Sequence, residues 1–226
     1  MVGYTARCGR VYGFAHLIGS KNVCNFQMNR VAIELDEVLF PFIKPMMKHF
    51  QKDLPQQRYF HYTHGDLLNV GDCDCRKMIR SYFDSERFSL IQPIKGSQPI
   101  LRLLKPGFQK VYVVASRPLY MREKTEEWID FHFPGIFDDL IFASNYLNRR
   151  ELEKYDICTS LNIDTLIDDD EIDCAVCLNN GMNVIHFAGD QKVYPWSRCD
   201  EWSVVGWNDL YNRVYNYESH SLIEVV

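Results

Sequence analysis

The segment VAIELDEVLFPF, residues 31–42, begins with the apolar run of a short strand and continues into acidic residues. Side chains two positions apart in a strand share a face, so the carboxylates of Glu34 and Asp36 start on the same side. At the carboxyl end of a parallel strand, two carboxylates form a site for a hard cation, or a nucleophile with an acid–base partner. A solvated strand end is the alternative interpretation.

Further apolar runs along the chain alternate with stretches of helical spacing. The runs predict strands at 31–35, 111–115, 140–143, 165–167 and 184–187, and helices are predicted at 120–131, 148–161, 171–180 and 207–217. Alternating strands and helices predict an α/β fold with a Rossmann-like parallel sheet and helices on both faces. In such sheets, ligands bind at the carboxyl ends of the strands.

The connection between the first two strands, residues 40–104, is too long for a single crossover helix. Helical spacing within it predicts one helix at 41–51, a second at 76–83 and a third that starts at Gly96. Residues 40–92 are therefore expected to form a small helical cap that is inserted into the sheet domain and covers the strand ends.

The sheet domain accordingly comprises residues 31–39 and 93–226, and an extension at 1–30 precedes it. The extension is basic, with four Lys or Arg residues and no Asp or Glu. An acid-free leader of this kind is compatible with targeting to an organelle. An N-terminal segment that packs on the domain is the favoured alternative.

Composition and charge exclude several classes of protein. Hydrophobic residues make up 46% of the 226 residues and charged residues 24%, which is typical of soluble globular chains. No apolar run approaches the roughly 18 residues that are needed to cross a membrane. The formal net charge of −5 argues against broad binding to nucleic-acid phosphates. The eight cysteines are scattered, which favours reduced thiols in an intracellular, cytoplasmic protein.

Acidic residues also follow the fourth predicted strand, where Asp168, Asp169 and Asp170 are consecutive. Three adjacent carboxylates repel one another unless a cation lies near them or one of them caps the following helix. Capping explains Asp170 well and Asp168 poorly, which favours a cation near Asp168.

Between these acidic stretches, Ser116 and Arg117 follow the second predicted strand. A hydroxyl, backbone N–H groups and a guanidinium at the start of a helix form an arrangement that an anion favours. We expect Glu34, Asp168 and Ser116 to converge at the carboxyl edge of the sheet. Lys154 lies within the helical stretch before the fourth strand, where an ordinary surface lysine is the alternative interpretation.

In this order and with this spacing, the sequence resembles the haloacid dehalogenase (HAD) superfamily of phosphohydrolases, and most closely its 5′-nucleotidase-like, deoxyribonucleotidase branch. The resemblance rests on VAIELDEVLFPF, VYVVASRPLYMREKTEEWI, KYDICTSLNIDTLIDDD and GMNVIHF, with WNDLYNRV near the end. It covers roughly residues 31–215. It implies a HAD fold and a Mg²⁺-dependent phosphomonoesterase that acts on a small phosphorylated molecule, such as a nucleotide.

The resemblance also implies roles for individual residues. The first Asp of the family's Asp-x-Asp motif attacks phosphorus, and Glu34 stands at this position. Asp36 matches the second Asp, which protonates the leaving group and then activates water. The implied catalytic residues are Glu34, Asp36 and Lys154, the implied phosphate-binding residues are Ser116, Arg117 and Lys154, and the implied metal ligands are Glu34, Asp36, Asp168 and Asp169.

Three positions depart from the family's pattern: Glu34 stands where Asp is usual, Ala115 where Thr is usual, and Glu37 where a small Gly is usual. A misplacement of about 1 Å in the attacking group can cost on the order of 100-fold in rate. Loss of one preorganised donor costs roughly another 100- to 1000-fold. Glu37 adds negative charge near an anionic substrate unless its side chain faces solvent.

The motifs are therefore degenerate, and we predict weak or absent phosphomonoesterase activity. The alternative is a non-catalytic pseudophosphatase, which keeps the fold and binds a protein partner. Within the predicted cap, His61, His64, Cys73 and Cys75 are four potential zinc ligands in 15 residues. The Cys-x-Cys spacing is tighter than is usual for zinc, so a polar loop with free thiols is the favoured interpretation.

Overall fold

The computed structural model describes residues 29–54, 64–145, 150–151, 153–190, 197–199 and 203–221. The strands are β1 (Arg30–Glu34), β2 (Lys110–Ala115), β3 (Asp139–Phe142), β4 (Ser144–Asn145), β5 (Arg150–Glu151), β6 (Thr165–Asp168), β7 (Asn183–Phe187) and β8 (Ser203–Val204). The helices are α1 (Ile43–His49), α2 (His64–Leu68), α3 (Asp72–Phe83), α4 (Glu86–Ser89), α5 (Ser97–Leu104), α6 (Arg122–His132), α7 (Lys154–Ser160), α8 (Glu171–Asn179) and α9 (Trp207–Ser221).

One parallel sheet of six strands, in the order β3-β2-β1-β6-β7-β8, forms the centre of the structure. The strand β1 lies in its middle, where Ile33 pairs with Val113 of β2 on one side and with Ile167 of β6 on the other. Every strand predicted from an apolar run is present within one residue of its expected bounds. The predicted α/β fold with a Rossmann-like parallel sheet is confirmed.

The two faces of the sheet pack against different helices. Ile33 belongs to the larger hydrophobic cluster, to which α5, α6 and α9 also contribute, whereas its neighbour Ala32 packs on the opposite face with α7 and α8. Successive side chains of a strand point to opposite faces, so a strand that is covered on both faces needs a continuous apolar run. The first residues of the segment at 31–42 supply that run.

The segment between β1 and α5 contains four short helices among its described residues. The helix α1 lies within the predicted 41–51, and α3 begins four residues earlier than the predicted 76–83. The helices α2 and α4 span less than two turns, which is too short for a helical period to show in the sequence. Aromatic residues of α3 and α4 belong to the larger hydrophobic cluster, which also contains Ile33 of the sheet. The cap boundaries at 40 and 92 remain predictions.

The predicted helix at 148–161 is wrong in its first part. The helix α7 begins at Lys154, because Arg150 and Glu151 pair as an antiparallel strand with Ser144 and Asn145. These short strands and β8 carry no apolar run, so the sequence gives no signal for them. Residues 1–28, which make up most of the predicted basic extension, lie outside the described residues. No helix among the described residues is long and apolar enough to cross a membrane.

Candidate active site

The carboxyl ends of β1, β2 and β6 meet at one edge of the sheet, and the predicted site residues lie there. Directly after β1, the chain turns back on itself: the Phe40 N–H donates to the Leu35 carbonyl, and the Glu37 N–H donates to the Phe40 carbonyl. Glu37 adopts the left-handed conformation, with φ of 61°. The turn brings the side chains that follow β1 back beside the strand end.

Glu37 faces the interior, so its interpretation as a solvent-facing side chain is wrong. The side chain is 5% exposed, and its Oε1 accepts hydrogen bonds from the Phe42 and Ile43 N–H groups at 2.9 and 2.5 Å. No described residue donates to its Oε2. Burial raises the pKa of Glu37 to about 8, although the two backbone hydrogen bonds oppose this shift.

Lys154 lies at the centre of the acidic residues and is not an ordinary surface lysine. Its side chain is 5% exposed, and its Nζ lies 2.8 Å from Glu34 Oε2, 2.7 Å from Asp168 Oδ2 and 2.9 Å from Asp173 Oδ2. Burial lowers the pKa of Lys154, but the three carboxylates raise it above its usual value. The ammonium therefore stays charged and holds β1, β6, α7 and α8 together.

Asp173 is a site residue that the sequence does not predict. It lies in the first turn of α8, which begins close to the end of β6. A residue in that turn faces back towards the strand end, and this spacing from Asp168 is the signal that identifies it. Asp170 is the N-cap of α8, as predicted, since its Oδ1 accepts from the N–H groups of Ile172 and Asp173 at 2.7 and 3.1 Å.

Asp168 and Asp169 lie between the strand end and that cap. Asp168 is fully buried, and its Oδ1 accepts a hydrogen bond from the Asp170 N–H at 3.0 Å. No described residue donates to the Asp169 carboxylate, whose backbone carbonyl lies 3.2 Å from His186 Nε2. Burial raises the pKa of Asp168 and of Asp169, and the neighbouring carboxylates raise that of Asp169 further. Asp169 is thus the acid with the fewest partners at this edge.

Asp36 and Arg117 form a separate ion pair next to these acids. Arg117 Nε donates to Asp36 Oδ2 at 3.0 Å and Nη2 donates to Oδ1 at 2.6 Å, so both carboxylate oxygens are engaged. Ser116 meets Glu34 instead, through its backbone N–H, which lies 3.5 Å from Glu34 Oε1. The structure thus brings Glu34, Asp168 and Ser116 together at the edge, with Lys154 between the two acids.

The buried Glu34 carboxylate is the group at the nucleophile position. Burial raises the pKa of Glu34, the Lys154 ammonium lowers it, and the charge of Asp168 raises it. Ala115, at the end of β2, is fully buried and offers no hydroxyl to a phosphoryl group. Two of the three departures from the family's pattern, Glu34 and Ala115, therefore lie where the resemblance implies that the chemistry takes place.

Charge and donor type at this edge suit a hard cation such as Mg²⁺. The described acids outnumber the described cations; the acids are Glu34, Asp36, Glu37, Asp168, Asp169 and Asp173, and the cations are Lys154 and Arg117. The donors are not gathered around one point, since no group of three His, Cys, Asp or Glu among the described residues is placed to hold a metal ion. Of the four potential zinc ligands, His61 lies outside the described residues, Cys73 is exposed and Cys75 is buried.

Solved structures similar to this chain are HAD-type proteins. A protein from Clostridium acetobutylicum, described as a predicted phosphatase, is 18% identical, with a TM-score of 0.59 over 84% of this chain and 99% of that one. A HAD-superfamily hydrolase of subfamily IA from Geobacter sulfurreducens is 14% identical, with a TM-score of 0.52 over 83% and 97%. A HAD hydrolase from Bacillus subtilis, bound to magnesium, is 11% identical, with a TM-score of 0.54 over 84% and 99%. At these identities, the likeness shows the HAD fold.

The family is shown by sequence. No curated protein matches the chain. A family model does match, over residues 27–206, which include the whole acidic edge of the sheet and the helices that position it. The chain therefore belongs to the family described as 5′ nucleotidase, deoxy (Pyrimidine), cytosolic type C protein.

Proposed function

We propose that this chain binds a small phosphomonoester of the nucleotide class and hydrolyses it weakly or not at all. The observation that carries this proposal is the position of the Lys154 ammonium. The Lys154 Nζ donates a hydrogen bond to Asp168 Oδ2 and lies within 2.9 Å of Glu34 Oε2 and Asp173 Oδ2, although Glu34 Oε2 accepts no well-oriented hydrogen bond from a described residue. A phosphoryl oxygen that approaches this ammonium therefore competes with three carboxylates for it, which weakens both binding and turnover.

Two further contacts support binding of a phosphoryl group at this edge. The hydrogen bond from the Ser116 N–H to Glu34 Oε1 is long, at 3.5 Å, so a phosphoryl oxygen can replace this acceptor at little cost. Glu34, Asp168 and Asp169 are the residues that would hold Mg²⁺, and they would have to move towards one another to do so, because no three described acids are placed around one ion. When bound there, the ion supplies charge neutralisation for the phosphoryl oxygens, whose negative charge the acids otherwise oppose.

The reaction, in a protein that turns over, begins with attack of a Glu34 oxygen on phosphorus. The Glu34–phosphorus bond forms as the bond from phosphorus to the leaving oxygen breaks, and Asp36, which must enter this step protonated, gives its proton to that oxygen. Water then attacks phosphorus, Asp36 takes the proton from this water, and the Glu34–phosphorus bond breaks. Phosphate and the alcohol are the products, and both carboxyl groups return to their first state.

A non-catalytic pseudophosphatase is the second candidate. Ala115 favours it, because this fully buried residue at the end of β2 offers no hydroxyl to a phosphoryl group. Such a protein keeps the phosphate-binding edge and uses it to bind a ligand or a protein partner without turnover.

The test compares wild type, Glu34→Asp and Asp36→Asn on p-nitrophenyl phosphate and on a panel of ribo- and deoxyribonucleoside monophosphates with Mg²⁺. The matched control is Glu127→Asp, the same change at an exposed position of α6. We expect Glu34→Asp to increase kcat/KM at least about 10-fold, since it restores the stem length that in-line attack requires.

Three outcomes decide between the candidates. Wild-type turnover that disappears in Asp36→Asn overturns the pseudophosphatase. Absence of turnover in wild type, together with activity in Glu34→Asp, supports a degenerate nucleotidase. Failure of all variants to bind phosphate or any nucleotide, measured by calorimetry with Mg²⁺, overturns both candidates.

A further inference from the structure

Arg117 is almost completely enclosed. Its side chain is 1% exposed, and its guanidinium carbon lies 4.2 Å from the ring centre of Phe40 and 5.3 Å from that of Phe88. Its Nε and Nη2 donate to the two oxygens of Asp36, and Nη1 donates to Thr125 Oγ1 at 3.1 Å. The residue therefore joins the turn after β1, the helix α6 and the helix α4 of the predicted cap.

These contacts leave little of the guanidinium for a substrate. The Nε–Nη2 edge is one of the two edges through which a guanidinium forms paired hydrogen bonds with a carboxylate or a phosphate, and Asp36 occupies this edge. Aromatic rings lie against the guanidinium, and the Thr125 hydroxyl oxygen accepts a hydrogen bond from Nη1. Asp36 itself is more open, since its side chain is 23% exposed against 1% for Arg117.

We propose that Arg117 is a positioning residue, which fixes the carboxylate of Asp36 at the mouth of the site and does not bind the phosphoryl group. The expected effect of Arg117 on kcat rests on the proposed function. The pairing that fixes the carboxylate of Asp36 does not. It replaces the phosphate-binding role that the sequence predicts for Arg117. Its chemical basis is that a buried guanidinium requires a partner carboxylate, and Asp36 is the carboxylate that it has.

The first test is a double-mutant cycle of Asp36→Asn and Arg117→Met, measured by urea unfolding in metal-free buffer. Asp36→Asn leaves the guanidinium buried without a partner charge, so we expect its unfolding equilibrium constant to rise on the order of 100-fold. Adding Arg117→Met removes that charge, and we expect it to recover at least about 10-fold of this loss.

The control for this cycle is Arg122→Met. Arg122 also pairs with a carboxylate, Glu126, at 3.0 Å and lies 4.5 Å from an aromatic ring centre, but it is 45% exposed. We expect it to change the unfolding constant less than about 3-fold, as is usual for surface pairs. An Asp36→Asn protein at least as stable as wild type would overturn the proposal, because a free carboxylate among acids is destabilising.

The second test follows the Arg117 Nε–H resonance in ¹⁵N-labelled protein. We expect a slowly exchanging signal that moves when Asp36 is changed to Asn. Addition of inorganic phosphate with Mg²⁺ to wild type should leave the resonance in place. If Arg117 bound the phosphate, the resonance would shift. A signal that responds to phosphate and ignores Asp36→Asn contradicts the proposal. This measurement uses wild type and Asp36→Asn only, so it holds even if Arg117→Met fails to fold.

The third test is kinetic and uses whichever of wild type or Glu34→Asp turns over. Arg117→Lys keeps the charge but cannot engage both oxygens of Asp36, so we expect kcat to fall about 10- to 100-fold with KM within about 3-fold. A rise in KM with kcat unchanged assigns Arg117 to the phosphate instead. If no variant turns over, the result favours the non-catalytic pseudophosphatase, while the unfolding cycle and the resonance still decide the role of Arg117.

Discussion

The two edges of the central sheet use acidic residues in opposite ways. At the amino edge, Asp164 accepts hydrogen bonds from the Asn29 and Arg30 N–H groups at 3.1 and 3.0 Å. Asp138 accepts from the Val111 N–H at 2.8 Å and pairs with two lysine side chains. At the carboxyl edge, three acids share one buried ammonium and a fourth has no donor among the described residues.

This difference is visible in the proton affinities of the two groups of acids. Burial alone would raise the pKa of Asp138, but its hydrogen bonds from two lysines and from Val111 lower it below the usual value. At the carboxyl edge, burial and neighbouring charges raise the pKa of Asp168 and Asp169. Acids of the first kind stabilise the fold, whereas acids of the second kind cost stability and are available for a ligand.

The largest effect should follow from removing the cation that the carboxyl edge shares. Lys154→Met removes the cation from two buried carboxylates, those of Glu34 and Asp168, and from the partly exposed Asp173. We expect the free energy of unfolding to fall by about 3–5 kcal/mol in metal-free buffer. The control at the amino edge is Lys105→Met, which leaves a second lysine on Asp138 and should cost less than about 1 kcal/mol. Urea unfolding measures both, and equal losses would contradict the comparison.

An intermediate effect is expected from Asp138→Asn at the amino edge. Loss of hydrogen bonds to a charged acceptor should lower the free energy of unfolding by about 2 kcal/mol at pH 7. The pKa of Asp138 is lower in the folded chain than the ordinary value of about 3.9. Its carboxylate therefore stabilises above about pH 4, and this contribution is lost as the pH falls further. The gap between wild type and variant should narrow at pH 3, and a constant gap would rule out this account.

Asp169→Asn and Asp164→Asn give the sharpest comparison, since the same chemical change is made at the two edges. Removing the charge of Asp169 relieves repulsion among crowded acids, and we expect a gain of about 1 kcal/mol in metal-free buffer. Removing the charge of Asp164 weakens its hydrogen bonds and should cost about 1 kcal/mol. Thermal unfolding with a chelator present shows the two signs, and a loss in both variants would refute the distinction.

The smallest effect concerns magnesium. A cation bound at the carboxyl edge stabilises the folded chain by about 0.4 kcal/mol when its concentration equals its Kd, and more above that. We expect Mg²⁺ to raise the Tm of wild type and of Asp164→Asn, and to raise that of Asp169→Asn less. An identical shift in all three proteins would place the ion elsewhere.

The sequence predicts well where the sheet strands begin and end. It predicts poorly which side chains pair beside those ends. The apolar run that contains Ala32 and Ile33 suits only a strand that is covered on both faces, so β1 follows directly from the pattern. The pairing of Asp36 with Arg117 depends on the register of β1 against β2, across 81 residues of chain. No local pattern encodes that register. The sequence therefore does not show that Arg117 pairs with Asp36, and it suggests that the guanidinium binds phosphate.

The orientation of the Lys154 side chain shows a second reason why the sequence does not predict the contacts of the site. The predicted helix at 148–161 includes this residue, but helical spacing does not say which face turns towards the strand ends. The start of α7 is set after a pair of polar two-residue strands, which leave no periodic signal. Asp173 is not predicted for a related reason. Its spacing from Asp168 identifies it only when the exact start of α8 after β6 is known.

The central place of β1 has a consequence for how the chain is made. It is the first described strand to leave the ribosome, but its partner β6 ends only at Asp168, and Asp164 closes onto Arg30 across 134 residues. Until then one edge of β1, whose residues 31–33 are apolar, lacks its partner, and this edge is a template for pairing with other nascent chains. Chains cut before residue 165 should therefore aggregate during translation, and slower synthesis should increase the loss unless a chaperone covers β1.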